Sequence, residues 1–176
     1  MSVNQALSRM LILIAVFSVI QIALQAPYLP SPMGVRFNAP GQAVGWDTPQ
    51  SFATINLVIV AIIVGICLIL PKSLTGRRRL KWRLPNRDYW LAPERLAKTI
   101  EYFQRQFYWH GIVTLLLLMA VFQLVVDANA KQPPLLNSER LVWLLIGYAA
   151  FLIVWGWSLW RKFSRLPPAK GENPFG

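Results

Sequence analysis

The stretch FATINLVIVAIIVGICLIL, residues 52–70, contains no charged side chain and is apolar at nearly every position. An α-helix rises about 1.5 Å per residue, so roughly 20 apolar residues are needed to cross about 30 Å of hydrocarbon. Three similar stretches occupy residues 10–26, 107–126 and 141–160. The sequence therefore predicts an all-α integral membrane protein with four transmembrane helices, forming a single membrane domain over residues 1–176.

The composition also favours a membrane protein. Hydrophobic residues make up 55% of the chain and charged residues only 14%, whereas soluble domains carry about a quarter charged residues. The net charge of +11 could suit nucleic acid, but the basic residues lie beside the apolar stretches and no base-reading module accompanies them. We therefore expect contacts with membrane lipids and none with nucleic acid.

Lysine and arginine are unevenly distributed among the loops. Residues 71–107 hold ten of them, whereas the loop 27–51 holds only Arg36. Because positive residues favour the cytoplasmic side, this bias predicts two helical hairpins with both termini in the cytoplasm. The basic loop 71–106 and the tail 161–176 would lie inside and the loop 27–51 outside.

The first apolar stretch could be retained or cleaved. Ala26-Pro27 follows it, and proline directly after a small residue makes a poor cleavage site. A retained signal anchor is therefore the prediction, and a cleaved signal peptide is the alternative.

The inner loop contains two further patterns. After Pro93-Glu94, apolar residues recur at helical spacing up to Phe107, which predicts an amphipathic helix that continues into the third crossing. This helix would lie at the lipid interface or, alternatively, dock on a partner subunit. Ahead of it is a basic run that would contact anionic lipid or dock a protein. The run consists of Arg77, Arg78, Arg79, Lys81 and Arg83.

The outer loop is rich in proline and glycine, which disfavours a long helix. Val35 and Phe37 alternate with polar residues and predict a short extended piece. The sequence Asn38-Ala39-Pro40-Gly41 predicts a turn, because asparagine and glycine tolerate backbone angles that other residues avoid. We expect a small ordered cap on the outer side.

The order LPSPMGVRFNAPGQAVGWDTP, residues 29–49, resembles the bacterial membrane domain-of-unknown-function family number 1648, which also occurs in SdpI-type immunity proteins. Arg36 stands where that family typically has histidine, and a lysine often found after the tryptophan is absent. A second stretch, NRDYWLAPE at residues 86–94, resembles the cytoplasmic segment of longer relatives. The resemblance implies recognition of an extracellular peptide by the cap. The candidate interaction residues are Arg36, Phe37, Asn38, Gly41 and Trp46, of which all but Arg36 match the family's motif.

Few residues offer chemistry. Cys67 is the single cysteine and His110 the single histidine, so the chain can form neither an internal disulfide nor a Cys/His metal cluster. No phosphate-binding loop or nucleophile motif is present, and we predict no enzyme activity, metal or cofactor. His110 is expected to hydrogen-bond a neighbouring carbonyl or headgroup. The alternative is an axial ligand to haem or a pigment, or part of a quinone site.

Aromatic and small residues indicate how the helices are placed. Tyr108, Trp109, Trp157 and Trp160 fall at the predicted inner ends of helices, where amphipathic rings anchor at headgroup level. Binding of a pigment, quinone or lipid is their alternative use. On the fourth stretch Gly147, Ala150 and Val154 follow one helical stripe, which is predicted to pack inside the four-helix bundle or, alternatively, to form a subunit interface.

These patterns favour a non-catalytic interaction protein. The leading hypothesis is an accessory subunit packed against other integral membrane subunits, for example in an energy-converting complex. The alternative is an immunity or sensing protein whose cap meets an extracellular peptide.

Overall fold

The computed structural model describes residues 2–73 and 85–165, except for the side chains of residues 70–73. Four helices are long and apolar enough to cross a membrane, as predicted. The basic run from Arg77 to Arg83 and the tail beyond Arg165 lie outside the described residues. In chain order the elements are α1 (Val3–Gln25), β1 (Met33–Phe37), β2 (Ala43–Asp47), α2 (Pro49–Ser73), α3 (Arg87–Trp90), α4 (Pro93–Asn129) and α5 (Ser138–Ser164).

Polar side chains cap the first turns of α1, α2 and α5, whereas α4 begins at Pro93 without a side-chain cap. Helix α1 begins at Val3 because Ser2 and Gln5 form a capping box, in which each side chain hydrogen-bonds the other's backbone N–H. The Thr48 hydroxyl accepts from the Ser51 N–H at 3.2 Å at the start of α2. Asn137 caps α5 in the same way.

Helix α4 is continuous from Pro93 to Asn129, so the predicted amphipathic helix does run into the third crossing. Its 37 residues correspond to about 55 Å at 1.5 Å per residue, well beyond the ~30 Å of a hydrocarbon core. The charged N-terminal part of α4 therefore projects past the span. Its placement at a lipid interface stays a prediction.

Helices α1, α2 and α4 form the core. At its centre Gly111 of α4 lies so close to α1 and α2 that an added Cβ would be 2.6 Å from the Cys67 sulfur and 2.9 Å from Leu11 Cδ1. The expected hairpins would pair the first crossing with the second and the third with the fourth. Because α1 packs against both α2 and α4, this pairing is not confirmed. The buried residues of this core are Leu7, Leu11, Ala15, Ile22, Val60, Cys67, Tyr108, Ile112, Leu115 and Phe122.

Tyr108 was predicted to lie in an interfacial aromatic belt, but the structure places it in the core. Its side chain is only 5% exposed and belongs to the core. The reason is the early start of α1, whose first turns bring Leu7 and Leu11 into the same buried cluster. Trp109, Trp157 and Trp160 are exposed, which is compatible with a belt.

Helix α5 lies outside this core and packs mainly against α4. None of its most apolar 18-residue window is buried, compared with 39% for α4. The stripe of Gly147, Ala150 and Val154 faces outward, and no described atom lies within 4 Å of a Cβ built at Gly147. The prediction that this stripe packs inside the bundle is therefore wrong.

The chain is mostly helical, as the predicted fold class requires, and the outer cap adds a two-stranded β-hairpin. Strands β1 and β2 pair antiparallel, with Met33 opposite Asp47 and Phe37 opposite Ala43. The predicted extended piece forms part of β1, and the predicted turn at 38–41 connects the strands. The sequence did not predict strand β2, because Gly45 and Asp47 are poor strand formers.

Replacing Gly111 by valine should destabilise the protein, because the new side chain must displace Cys67 and Leu11 in a packed core. We expect a loss of about 1–3 kcal/mol in unfolding free energy, measured by denaturant titration in detergent micelles. Gly147→Val is the matched control and should change stability little, since open space surrounds that position. Equal losses in both variants would show that Gly111 is not a site of close packing.

Candidate functional site

Two of the five predicted cap residues hold the hairpin turn. The Asn38 carboxamide oxygen accepts from the Gln42 N–H at 2.7 Å, and its amide nitrogen donates to the Gln42 side chain at 3.1 Å. Gly41 has φ +89°, and any Cβ there would collide with the Leu136 carbonyl. The Leu136 N–H donates to the Gly41 carbonyl at 2.8 Å. These contacts attach the turn to the loop before α5.

The other three predicted residues divide between packing and exposure. Phe37 packs against the buried cluster under the cap. The side chain of Arg36 is exposed and lies across Gly45, where a Cβ would come within 2.5 Å of its Nε. Trp46 is 52% exposed. Of the five predicted residues, Arg36 and Trp46 are therefore the two whose side chains are exposed.

A residue that sequence analysis missed attaches the cap to the membrane helices. Asn129, in the last turn of α4, is only 4% exposed. Its side-chain oxygen accepts from the Gly34 N–H at 2.7 Å, and its amide nitrogen donates to the carbonyls of Gly34 and Val125, each at 2.9 Å. Met33 beside it is fully buried. A carboxamide ending an apolar helix was the only sequence signal.

Asp47 forms the junction between the cap and α2. Its carboxylate accepts from the Thr48 N–H at 2.7 Å and from the Ser51 hydroxyl at 2.8 Å. These two hydrogen bonds, the backbone one first, lower the pKa of Asp47 below its ordinary value. The carboxylate thus remains charged at neutral pH at the N-terminus of α2, where the helix dipole favours an anion.

A cleft of about 560 Å³ opens between β2 and the loop that precedes α5. Trp46 forms one wall, and Lys131 is the only charged residue in the lining. Such a volume lies within the range of about 300–1,000 Å³ that is usual for ligand pockets. The lining residues are Gln42, Ala43, Trp46, Lys131, Gln132, Pro133, Pro134 and Leu135.

Below the cap, a chain of carboxamides joins α1 to α4. The Gln123 oxygen accepts from Gln21 at 3.0 Å and from Gln25 at 2.8 Å, while the Gln123 nitrogen donates to Asp127 at 2.8 Å. The side-chain oxygens of Gln21 and Gln25 are buried and have no partner among the described residues. Hydrogen bonds of this kind are typically worth about 1 kcal/mol or less in membranes, and here they specify the register of the two helices.

His110 lies on the contact surface between α4 and α5. Its ring centroid is 4.9 Å from that of Trp155 and 6.3 Å from that of Phe151. One turn along, the hydroxyls of Thr114 and Tyr148 lie 2.9 Å apart. His110 Nδ1 and Trp155 Nε1 are buried with no hydrogen-bond partner among the described residues. The expected bond from His110 to a neighbouring carbonyl is therefore absent from the part of the chain described.

The possible metal ligands of the described residues do not lie close together. Within residues 2–73 and 85–165, no three His, Cys, Asp or Glu side chains lie close enough to hold an ion together. A single ring nitrogen such as that of His110 would suffice for a haem or pigment, and that alternative stays a prediction.

Comparison with protein-family models, with curated proteins and with solved structures finds no match for this chain. The resemblance of residues 29–49 to family 1648 accordingly stays an expectation.

Replacing Asn129 by alanine should release the cap from α4. The N–H and carbonyl of Gly34 would lose their partners in a buried site, at a cost of about 1–3 kcal/mol for each group. We expect amide hydrogen exchange in residues 33–47, measured by mass spectrometry, to rise at least tenfold. Asn4→Ala, at the far end of α1, should leave this exchange unchanged. Unaltered protection in the Asn129 variant would show that other contacts hold the cap.

Proposed function

We propose that this chain is a non-catalytic accessory subunit that joins a larger bacterial inner-membrane assembly through the outer face of α5. Both termini would be cytoplasmic, and the cap would lie outside. The observation that carries the proposal is that α5 has no buried residue along its most apolar 18-residue window. The other three long helices are held in a core that does not need α5.

The chemistry of α5 suits another transmembrane helix as its neighbour. Apolar surfaces gain little by leaving lipid for protein, so helix association in membranes depends on close packing at small residues. Gly147 and Ala150 provide such a surface, and no described atom approaches the Cβ position of Gly147 or Gly156. Ile153 and Val154, which are 72% and 67% exposed, flank it with side chains that could interdigitate with a partner.

The cap adds a second surface that a partner subunit could contact. Besides Trp46, Val44 and Tyr28 are exposed there, at 62% and 88%. The hydrogen bonds of Asn38, Gly41 and Asn129 tie the hairpin to the helices, so little ordering entropy would be lost on association.

The proposal is tested by replacing Gly147 with leucine in the tagged full chain. A larger side chain should separate the helices, so recovery of partner subunits after mild-detergent extraction of native membranes should fall several-fold. Quantitative mass spectrometry measures their ratio to this chain. Ala23→Leu, at an exposed position of α1, should retain the wild-type ratio.

Recovery of the wild-type chain without other membrane proteins, as a single 20.0 kDa species, would contradict the proposal. An absorption spectrum of the same fraction addresses His110, since a haem or pigment carrier cannot be colourless. Loss of a visible band in His110→Ala would assign the pigment to this chain rather than to its partners.

Peptide recognition is a second candidate function, and the cleft beside Trp46 favours it. The cleft has an aromatic wall, a single cation at Lys131 and two proline rings, of which that of Pro133 is exposed. These features suit an extended peptide. In this version the protein confers immunity to a secreted toxin or senses it.

Cells producing the wild type should survive medium from a toxin-secreting competitor, and Trp46→Ala should lose this protection while still inserting into the membrane. Trp143→Ala, which removes an exposed ring at the start of α5, should protect as well as the wild type. If deletion of residues 38–46 left protection intact, the cap would not be the recognition element.

A further inference from the structure

A second cavity, of about 510 Å³, lies at the end of the molecule opposite the cap, where α3, α4 and α5 meet. We call it the basic pocket. Its lining combines four cations, one carboxylate and three aromatic rings. The lining residues are Trp90, Arg95, Lys98, Thr99, Glu101, Tyr102, Arg105, Lys162 and Phe163.

The walls of the basic pocket are held by specific contacts. The indole N–H of Trp90 donates to the Phe163 carbonyl at 3.1 Å, and the Thr99 hydroxyl donates to the Trp90 carbonyl at 2.9 Å. The Asn86 side chain donates to the carbonyls of Phe163 and Ser164, both at 3.1 Å. These bonds satisfy the end of α5 and fix the ring of Trp90 against it.

The cations converge on these rings. Lys162 Nζ lies 5.3 Å from the centroid of Trp90 and 5.8 Å from that of Tyr102, and the Arg105 guanidinium carbon lies 5.3 Å from Tyr102. Two positive groups therefore sit within 6 Å of one ring. Cation–ring attraction holds them in place, but it leaves their mutual repulsion uncompensated.

No carboxylate in the described part of the chain forms an ion pair with these cations. Among the described residues the ion pair found is Arg87–Asp88, and none of the four pocket cations has a carboxylate oxygen within 4 Å. Glu101 is the one acid in the lining, so the pocket carries a surplus of three positive charges. An anion with several acceptor oxygens would relieve the repulsion and use the free N–H donors.

The depth of the basic pocket indicates the source of that anion. Trp157 and Trp160, whose ring centroids are 5.2 Å apart, are both exposed and lie within two turns of Phe163 along α5. Exposed tryptophans at the end of an apolar helix mark the level of lipid headgroups. These tryptophans predict that the pocket lies at the level of lipid phosphates, with the apolar surface of α5 beside it to accept acyl chains.

From this geometry we infer that the basic pocket binds the phosphate of an anionic phospholipid, with Lys98, Arg105 and Lys162 as its donors. The site is distinct from general attraction of the inner loop to a charged surface, because aromatic rings position Arg105 and Lys162 in a formed cavity. It does not depend on a partner along α5.

The inference is tested on the purified full chain by native mass spectrometry with titrated phosphatidylglycerol and phosphatidylcholine. The wild type should bind one phosphatidylglycerol at least tenfold more tightly than phosphatidylcholine. Lys162→Gln and Arg105→Gln should each weaken binding about fivefold, the equivalent of roughly 1 kcal/mol per basic residue near an anionic surface. Lys162→Arg keeps the positive charge and should therefore retain the wild-type affinity for phosphatidylglycerol. This variant replaces the glutamine variant in the test if the latter fails to fold.

Arg161→Gln is the matched control, because this neighbour of Lys162 is exposed, carries the same charge and does not line the pocket. Its affinity should stay within twofold of the wild type. Equal weakening by Arg161→Gln and Lys162→Gln, or no preference for phosphatidylglycerol, would overturn the inference. Full competition by soluble glycerol phosphate at the lipid's own concentration would also overturn it and indicate a site for free phosphate esters.

Discussion

The close approach of three helices at Gly111 is the constraint on which the rest of the structure depends. Because this residue has no side chain, Leu11 of α1 and Cys67 of α2 can both reach the backbone of α4. In lipid the hydrophobic effect does not drive helices together, so packing of this kind must supply much of the association energy. With α1, α2 and α4 thus assembled, α4 becomes the element to which both the cap and α5 attach.

Attachment of the cap illustrates how irregular backbone is kept at a membrane surface. A two-stranded hairpin is at best marginally stable alone, and its free N–H and carbonyl groups need partners. Asn129 supplies them from the end of α4, and the loop before α5 supplies them at Gly41 and Gln42. Met33 adds a fully buried apolar anchor between these two points. The cap is thereby an extension of the helices rather than a separate unit.

Polar side chains occur where α4 contacts α1 and where it contacts α5. Toward α1, Gln123 links Gln21, Gln25 and Asp127 into one hydrogen-bonded chain. Toward α5, Thr114 and Tyr148 pair, but His110 Nδ1 and Trp155 Nε1 find no partner in the described part of the chain. Each side thus leaves two buried polar atoms without a partner among the described residues, but the α5 side is much less buried. That asymmetry is the physical basis for looking to α5, the cap and the basic pocket for the protein's interactions.

The sequence by itself determined the number of membrane helices, the continuous helix into the third crossing and the turn at 38–41. Each of these depends on local properties: hydropathy over about 20 residues, helical spacing, and the backbone tolerance of asparagine and glycine. Only the tertiary structure decided that Tyr108 is buried, that the stripe at Gly147 faces outward and that Asn129 holds the cap. A helix that is apolar on all sides does not reveal which face meets protein and which meets lipid. The basic pocket could likewise not be predicted from the sequence. Its residues Trp90, Tyr102 and Lys162 belong to three different helices and meet only when α3 and α5 pack beside α4.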